Sequence, residues 1–135
     1  MLSIETVSVT IERPFPTVYD FLADPRNLVR WVDVLGAAHH PVAPMEWMFD
    51  RPAFHSGPIR VRFTPRNAFG VLDIHASSGE ALIHWAPVRA IDLGDATAVT
   101  FGLVHGAEWP ASHSASERDW IEADLLTLKT LLEAT

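Results

Sequence analysis

The sequence predicts an α+β fold in which a curved antiparallel sheet wraps around a long C-terminal helix. Three observations predict it: the chain opens with an alternating strand, continues through short alternating segments, and ends in one long amphipathic helix. A strongly twisted antiparallel sheet can bury one stripe of a helix on its concave side. The 135 residues, 48% of them hydrophobic, are enough for one substantial core, so we expect a single domain over residues 1–135.

The N-terminal segment predicts one strand followed by two short helices. In IETVSVTIE, apolar and polar side chains alternate as in a half-buried strand, which ends at Pro14. PTVYDFLADP has apolar side chains at helical spacing, with Pro16 at a position suited to a helix start. Asp24 followed by Pro25 is typical of an N-cap and a first helical turn, and it opens a second helix through RNLVRWV.

The middle of the chain predicts an antiparallel meander. Residues 36–58 contain four prolines and few clean periods, and MEWMF is the best strand candidate there. From Ile59 the alternation is clear, because Ile59, Val61 and Phe63 are apolar and the residues between them are polar. Three more strands, separated by SG and DLGD turns, are predicted near 70–77, 80–91 and 96–105.

The last segment predicts a helix from about 116 to 133 that lies on the core. Ser114 with Glu117, or Ser116 with Asp119, fits a capping box, in which side chains satisfy free amide donors of the first turn. Apolar residues recur at i, i+4, i+7 and i+11, which gives the helix one buried stripe. The stripe consists of Ile121, Leu125, Leu128 and Leu132.

Two stretches of this sequence resemble a known superfamily. VTIERPFPTVYDFLADPRNLVRW resembles the opening of START-like, polyketide cyclase-like proteins, the SRPBCC or helix-grip superfamily. ERDWIEADLLTLKTLLE resembles their terminal helix, and NAFGVLD followed by a hairpin is similar to a bacterial subgroup. The resemblance implies a cavity between the sheet and the long helix. Because the superfamily includes cyclases, hydroxylase domains, lipid carriers, hormone receptors and chaperone regulators, it implies a fold and no single function.

The facing of the 70–77 strand decides which polar side chains reach that cavity. If the SG turn has two residues, Asp73 lies opposite His84 and His75 lies opposite Leu82. In that register these ionisable side chains and His105 converge on one patch of the concave face.

The opposite facing is also open. A one-residue change in the SSG loop reverses the strand and buries Leu72 and Ile74. Asp73 and His75 then face solvent. His84 becomes a core histidine with a backbone partner.

The first functional hypothesis is a binding module that holds a small hydrophobic or aromatic ligand in the cavity. Such pockets are mostly apolar, with a few polar groups that fix orientation. Trp47 and Phe49 are expected at the mouth, and Phe63 and Phe101 at the floor. The predicted ligand-binding residues are Trp47, Phe49, Val61, Phe63, His75, Phe101, Leu103, His105 and Leu125.

The second hypothesis is a polyketide cyclase or dehydratase-like enzyme with Asp73 and His84 as its catalytic acid-base pair. A carboxylate that holds an imidazole tautomer permits proton transfer near neutral pH. No nucleophile motif accompanies the pair, because the chain has no cysteine and no G-x-S-x-G elbow.

The third hypothesis is a homodimeric interaction module that uses a convex apolar patch. The patch consists of Leu72, Ile74, Ile83, Trp85 and Val104.

Charge and composition disfavour several other classes of protein. The net charge of −7 comes without a Lys/Arg stripe, so nucleic acid and anionic membranes are poor partners. No apolar run approaches the roughly 20 residues of a membrane span, and the start lacks the pattern of a signal peptide, so we expect a cytoplasmic protein. Short-range metal-ligand spacing is missing, and we expect no metal and no cofactor.

Overall fold

A computed structural model of the chain describes residues 3–53, 55–105 and 111–134, with the backbone alone over residues 111–115. The predicted α+β class is confirmed, since two antiparallel sheets and two short N-terminal helices pack with one long C-terminal helix. Within the described ranges, no helix is long and apolar enough to span a bilayer. In chain order the elements are β1 (Ser3–Ile11), α1 (Phe15–Ala23), a 3₁₀ helix (Pro25–Arg30), β2 (His39–Ala43), β3 (Glu46–Phe49), β4 (Ile59–Phe63), β5 (Ile74–Ser78), β6 (Ala81–Ala86), β7 (Val88–Asp92), β8 (Thr97–His105) and α2 (Ala111–Glu133).

The two sheets have the strand orders β1-β8-β7 and β2-β3-β4-β5-β6. They are joined where the chain passes from β6 to β7 at Pro87, which has no backbone N–H to continue the ladder. Across this junction Val71 forms a bridge with Arg89, and the Ala90 N–H donates to the Gly70 carbonyl at 2.9 Å. The strand predicted over 80–91 is therefore two strands that belong to different sheets.

The N-terminal elements follow their sequence signals. The Asp24 side chain accepts a hydrogen bond from the Arg26 N–H at 3.0 Å, so the predicted N-cap is confirmed. The second short helix is a 3₁₀ helix, and it places Leu28 and Trp31 in the core. The chain then continues to β2 through a linker, residues 31–38, that passes beside α2 and buries Val32 and Leu35.

The apolar stripe of α2 lies on the core as predicted, and Leu125 is only 1% exposed. The helix begins at Ala111, five residues before the predicted start. Ser116 is therefore inside the helix and is not its N-cap. Ser114, the other predicted cap, also lies inside the helix, and its side chain lies outside the described residues.

Residues 36–58 contain two strands. The MEWMF prediction is confirmed, because β3 covers Glu46–Phe49 and pairs with β4. The sequence missed β2, which holds Pro41 at the edge of the five-stranded sheet. An edge strand tolerates proline because one side of its backbone has no partner.

The predicted register of the β5–β6 hairpin is wrong, because the turn is Gly79–Glu80 and not Ser78–Gly79, and because a β-bulge follows. Next to the turn, Ser77 pairs with Leu82, which keeps the predicted facing. Beyond the bulge, Ala76 pairs with His84, so Ile83 is the extra residue in β6. One extra residue reverses the facing of every later side chain in the pair.

The structure therefore has the alternative facing of this strand. Leu72 is buried and Ile74 lies against the core, so neither belongs to the predicted convex patch for a second copy. On the outer face, the rings of His75 and Trp85 stack with their centroids 6.0 Å apart. In the other hairpin, Val88 pairs with Phe101 and not with Val99, but this shift of two residues leaves its facing as predicted.

Candidate functional site

A cavity of about 80 Å³ lies between the concave face of the sheets and α2, and we call it the main cavity. Its walls are almost entirely apolar. From the 3₁₀ helix and the linker come Leu28, Val32, Val34 and Leu35. From the sheets and α2 come Val61, Ile74, Ala76, Phe101, Trp120 and Ile121.

Among the described residues, His84 and Glu117 are the ionisable side chains that line the main cavity. The β6 bulge turns His84 inward, and Glu117 lies one helical turn before Ile121 on the buried stripe of α2. His84 Nδ1 lies 3.6 Å from Glu117 Oε1, and Glu117 is only 6% exposed. A carboxylate this deeply buried is stabilised by a cationic or hydrogen-bonding partner, so the two groups act as one polar pair in an apolar wall.

A second, smaller cavity of about 30 Å³ continues from the first. Leu28, Ile74 and Phe101 line both cavities and separate them. Beyond this partition the second cavity extends toward Trp31 and Phe63. Two apolar spaces, divided by these three side chains, therefore lie between the polar pair and α1.

An outer groove of about 500 Å³ lies on the other side of the main cavity's wall, between the linker and α2. Val32, Val34 and Trp120 line both spaces. The groove carries two carboxylates, Asp33 from the linker and Asp124 from α2, and we call it the acidic groove.

Asp124 is 5% exposed and accepts a hydrogen bond from the backbone N–H of Asp33. Within the described part of the chain, its Oδ2 atom has no hydrogen-bond partner. Burial raises the pKa of Asp124 to about 6, and the nearby Asp33 charge adds to this, while the Asp33 N–H opposes it. Asp124 is thus a carboxylate that is ionised at neutral pH in an environment that disfavours its charge.

Solved structures of very different sequence share this architecture, although no protein-family model and no curated protein matches the sequence. A START superfamily protein from Mycobacterium smegmatis is similar with a TM-score of 0.74 at 12% identity, and the match covers 97% of each chain. The Zhui aromatase/cyclase from a Streptomyces species has a TM-score of 0.71 at 13% identity, covering 98% of this chain and 94% of that one. Aha1 from Colwellia psychrerythraea, a dimer, has a TM-score of 0.67 at 18% identity, covering 97% and 96%.

The chain has the START-like helix-grip fold. The resemblance seen in the opening and closing motifs is confirmed at the level of fold, including the space between sheet and terminal helix.

Within this START-like fold, some predicted ligand-binding residues line the cavities. Val61 and Phe101 line the main cavity, and Phe63 with Phe101 lines the second one, while His84, predicted as a catalytic residue, also lines the main cavity. Leu103 and Leu125 are buried in the core beside them.

Trp47 and Phe49, the predicted mouth of the cavity, lie elsewhere. Both rings contact His39 of β2, with centroid distances of 5.1 Å for Trp47 and 5.6 Å for Phe49. At the position expected for Trp47 and Phe49, the cavity wall is formed by the linker and α2. This wall separates the main cavity from the acidic groove.

The predicted convergence of Asp73, His75, His84 and His105 is wrong. Asp73 lies just before β5, where its carboxylate accepts the Val88 N–H at 2.9 Å and pairs with Arg89. Asp73 therefore supports the junction at Pro87, three positions along the chain from the residue that faces His84. His75 is on the outer face.

His105 lies at the end of β8, where its Nε2 atom is 3.6 Å from Glu5 Oε2. The same glutamate pairs with Arg118 of α2. These contacts connect the edge of the sheet to the helix.

Glu117 is a cavity-lining residue that the sequence interpretation does not predict. The sequence favours a capping-box role for it, although it precedes Ile121 by four residues and so falls on the apolar stripe. A carboxylate on the buried stripe of a helix is the signal that indicates a cavity-facing residue.

Proposed function

We propose that the protein binds a small, mostly apolar molecule in the main cavity, with one polar atom of the ligand against the His84–Glu117 pair. The observation that carries this proposal is a buried histidine-carboxylate pair in a cavity whose other walls are apolar. Binding sites of this type gain affinity from apolar contact and orientation from a few polar groups.

The cavity volume limits the size of the ligand. One buried water needs about 10–15 Å³ and a cavity of about 150 Å³ binds benzene, so the main cavity, with about 80 Å³, holds several waters or part of a ring. A complete aromatic ring would displace the partition of Leu28, Ile74 and Phe101 and extend into the second cavity. We therefore propose a flat or compact ligand with a hydroxyl, carbonyl or similar group at one end.

The test combines mass spectrometry with a cavity-filling variant. Native mass spectrometry of freshly purified protein detects a co-purified small molecule, and 2-naphthol serves as a neutral aromatic probe in calorimetric titrations. Ala76→Leu adds three carbon atoms inside the main cavity, and Ala81→Leu adds the same atoms on the exposed end of β6. We expect Ala76→Leu to weaken 2-naphthol binding at least about tenfold, which is about 1.4 kcal/mol, and Ala81→Leu to leave it unchanged.

Equal affinity in the wild type and Ala76→Leu would show that the cavity is not the site. Circular dichroism of both variants separates loss of binding from loss of folding. A further variant, Glu117→Gln, keeps the shape of the pair and removes its charge. We expect this variant to lose preference for ligands with a polar end and to retain binding of purely apolar ones.

A second candidate is a cyclase-like enzyme, and one observation favours it. An imidazole held by a carboxylate inside an apolar cavity can remove or deliver a proton next to a ligand carbonyl. In this proposal Glu117 takes the role predicted for Asp73, and His84 keeps its role. Turnover of aromatic polyketide-like compounds that is lost in both His84→Gln and Glu117→Gln supports the enzyme, whereas binding without turnover supports the binding protein.

A further inference from the structure

Trp120 is the lining residue of the main cavity that also faces solvent. Its side chain forms part of the cavity wall and is 39% exposed. Among the described lining residues it alone is exposed, since the others are buried or half-buried. Ile121, the next residue of α2, is only 7% exposed. The indole of Trp120 therefore lies between the cavity and water.

The cavity wall at Trp120 is a single layer of side chains. Val32, Val34 and Trp120 line the main cavity on one side and the acidic groove on the other. In the direction of α1, the cavity is bounded by side chains that face the second cavity inside the core. Within the described part of the chain, the layer at Trp120 is thus the short route from a surface groove to the main cavity.

Hydrogen bonds fix the linker side of this layer. The Ala53 N–H donates to the Val34 carbonyl at 2.7 Å, and the Asp33 N–H donates to the buried Asp124 carboxylate. Moving the linker would break both bonds and leave buried polar groups unsatisfied. We therefore regard the linker as the fixed side of the route.

The Trp120 side chain is the movable side. Its indole N–H makes no hydrogen bond to any described residue, so no such bond breaks when the ring rotates. Rotamer changes of exposed side chains are fast and need no movement of the backbone. The α2 backbone itself is held in place by Leu125 and Leu128, which are buried in the core.

We propose that Trp120 is the gate of the main cavity, and that small apolar molecules enter and leave through the acidic groove when its indole rotates outward. The identity of the ligand rests on the proposed function, whereas the route is tested without a ligand. A side chain that only contacts a bound ligand changes mainly the dissociation rate, but a gate changes the association rate as well.

The first experiment measures entry into the cavity with a thiol reagent. The chain has no cysteine, so Ala76→Cys places its sole thiol on the wall of the main cavity. Methyl methanethiosulfonate, which is small and neutral, transfers its methylthio group to this thiol and releases methanesulfinate. Mass spectrometry follows the reaction. We expect the addition of Trp120→Ala to accelerate this labelling at least about tenfold.

Matched variants control for residue type and position. Trp85 is 38% exposed and lies on the outer face of the sheet, so we expect Trp85→Ala to leave the labelling rate unchanged. Ala123 lines the groove one helical turn after Trp120. Ala123→Trp narrows the route, and we expect it to slow labelling at least about threefold. Leu126→Trp adds the same ring at an exposed position outside the groove lining and should have no effect.

Urea separates passage through the gate from unfolding. A thiol that reacts only in the unfolded chain is labelled in proportion to the unfolded population, which rises steeply with urea. We expect the labelling rate of Ala76→Cys to change little at urea concentrations far below the unfolding midpoint. A rate that follows the global unfolding curve overturns the proposal. Equal labelling rates with and without Trp120→Ala also overturn it.

The second experiment follows 2-naphthol binding by stopped-flow fluorescence, and we expect Trp120→Ala to raise the association rate constant. If 2-naphthol binds in the main cavity while Trp120→Ala changes neither labelling nor association, the gate is wrong and the proposed function stands. If Ala76→Leu leaves 2-naphthol binding unchanged while Trp120→Ala accelerates labelling, the proposed function is wrong and the gate stands.

Discussion

Among the described residues of α2, two carboxylates are buried. Glu117 and Asp124 lie seven residues apart on the side of α2 that faces the rest of the fold. Glu117 has His84 beside it, whereas Asp124 has one backbone N–H and the opposing charge of Asp33. Asp124 is therefore the carboxylate whose ionisation is expected to cost the folded state free energy.

Asp124→Asn is predicted to stabilise the protein at neutral pH. The folded-state pKa of Asp124 is about 6, above its value in the unfolded chain, so the folded state binds the proton more tightly. The stability that this provides is complete below about pH 4 and is lost as the pH rises through about 6. The Asn side chain does not ionise, so we expect the variant to gain on the order of 1 to 3 kcal/mol over the wild type at pH 7.5.

Urea unfolding of both proteins at pH 4 and pH 7.5 measures this difference, with Asp119→Asn as the exposed control. The gap between the wild type and Asp124→Asn should open between these pH values. A gap that is the same at both would show that the charge of Asp124 is already compensated in the folded protein.

At the level of secondary structure, the sequence predicts most strands but not the β-bulge in β6. Alternation identified β1, β4 and the strand segments after residue 70, since half-buried strands have a period of two. The facing of β5 depended on Ile83, one extra residue in the partner strand. The bulge interrupts the alternation of β6 between Leu82 and His84, so hairpin counting from the turn predicts the wrong side of β5.

Two glycines with positive φ test the junction between the sheets. Gly70 has φ +70, and a Cβ there would lie 2.2 Å from the Ala90 carbonyl oxygen, whereas Gly79 has φ +60 with no atom within 4 Å. Gly79→Ala should therefore cost only the left-handed backbone conformation, about 1–2 kcal/mol. Gly70→Ala adds a clash with the strand that joins the two sheets, and we expect about 3 kcal/mol or more. Denaturant midpoints give both values, and equal costs would contradict the close approach.

Two neighbouring leucines on α2 test which face of the helix packs on the core. Leu125 is 1% exposed and Leu126 is 60% exposed. Leu125→Ala should cost about 2–5 kcal/mol, the usual range for a buried leucine. Leu126→Ala should stay within about 0.5 kcal/mol of the wild type. Calorimetric unfolding of the pair decides this, and a small effect at Leu125 would place the helix away from the core.

In the molecule as a whole, the two ends of the described chain are held together. β1 pairs with β8 along its entire length. At the far end of α2, Glu133 accepts a hydrogen bond from the Glu12 N–H at 2.8 Å, and Lys129 Nζ donates to the Thr10 carbonyl at 2.7 Å. The last turn of the helix is thus fixed to the end of the first strand.

Packing between parts of the chain that are distant in sequence also explains why only part of the site could be predicted. Val61 and Phe101 belong to strands whose inward face follows from local alternation, and they line the cavity, whereas His84 faces it because of the bulge in β6. The walls formed by Val34 and Trp120 depend on how the linker packs against α2. Periodicity within one element does not predict how two elements pack together.

Glu133→Gln is predicted to destabilise the protein most at neutral pH. The Glu12 N–H and then Lys129 hold the pKa of Glu133 below its usual value. A lowered folded-state pKa gives stability that is present above the unfolded value and is lost as the pH falls through the folded one. We expect Glu133→Gln to melt below the wild type at pH 7 and the two melting temperatures to converge below about pH 4. Thermal melts followed by circular dichroism measure this, with Glu80→Gln in the exposed hairpin turn as the control.

The pairing of β1 with β8 imposes an order on events during synthesis. At about 5–20 residues per second, β8 leaves the ribosome roughly 5–20 s after β1. Until then the first strand has no neighbour, and the helix that closes the cavity does not yet exist. The cavity is therefore completed only after translation has passed α2, so the proposed ligand cannot bind there before this helix has been made.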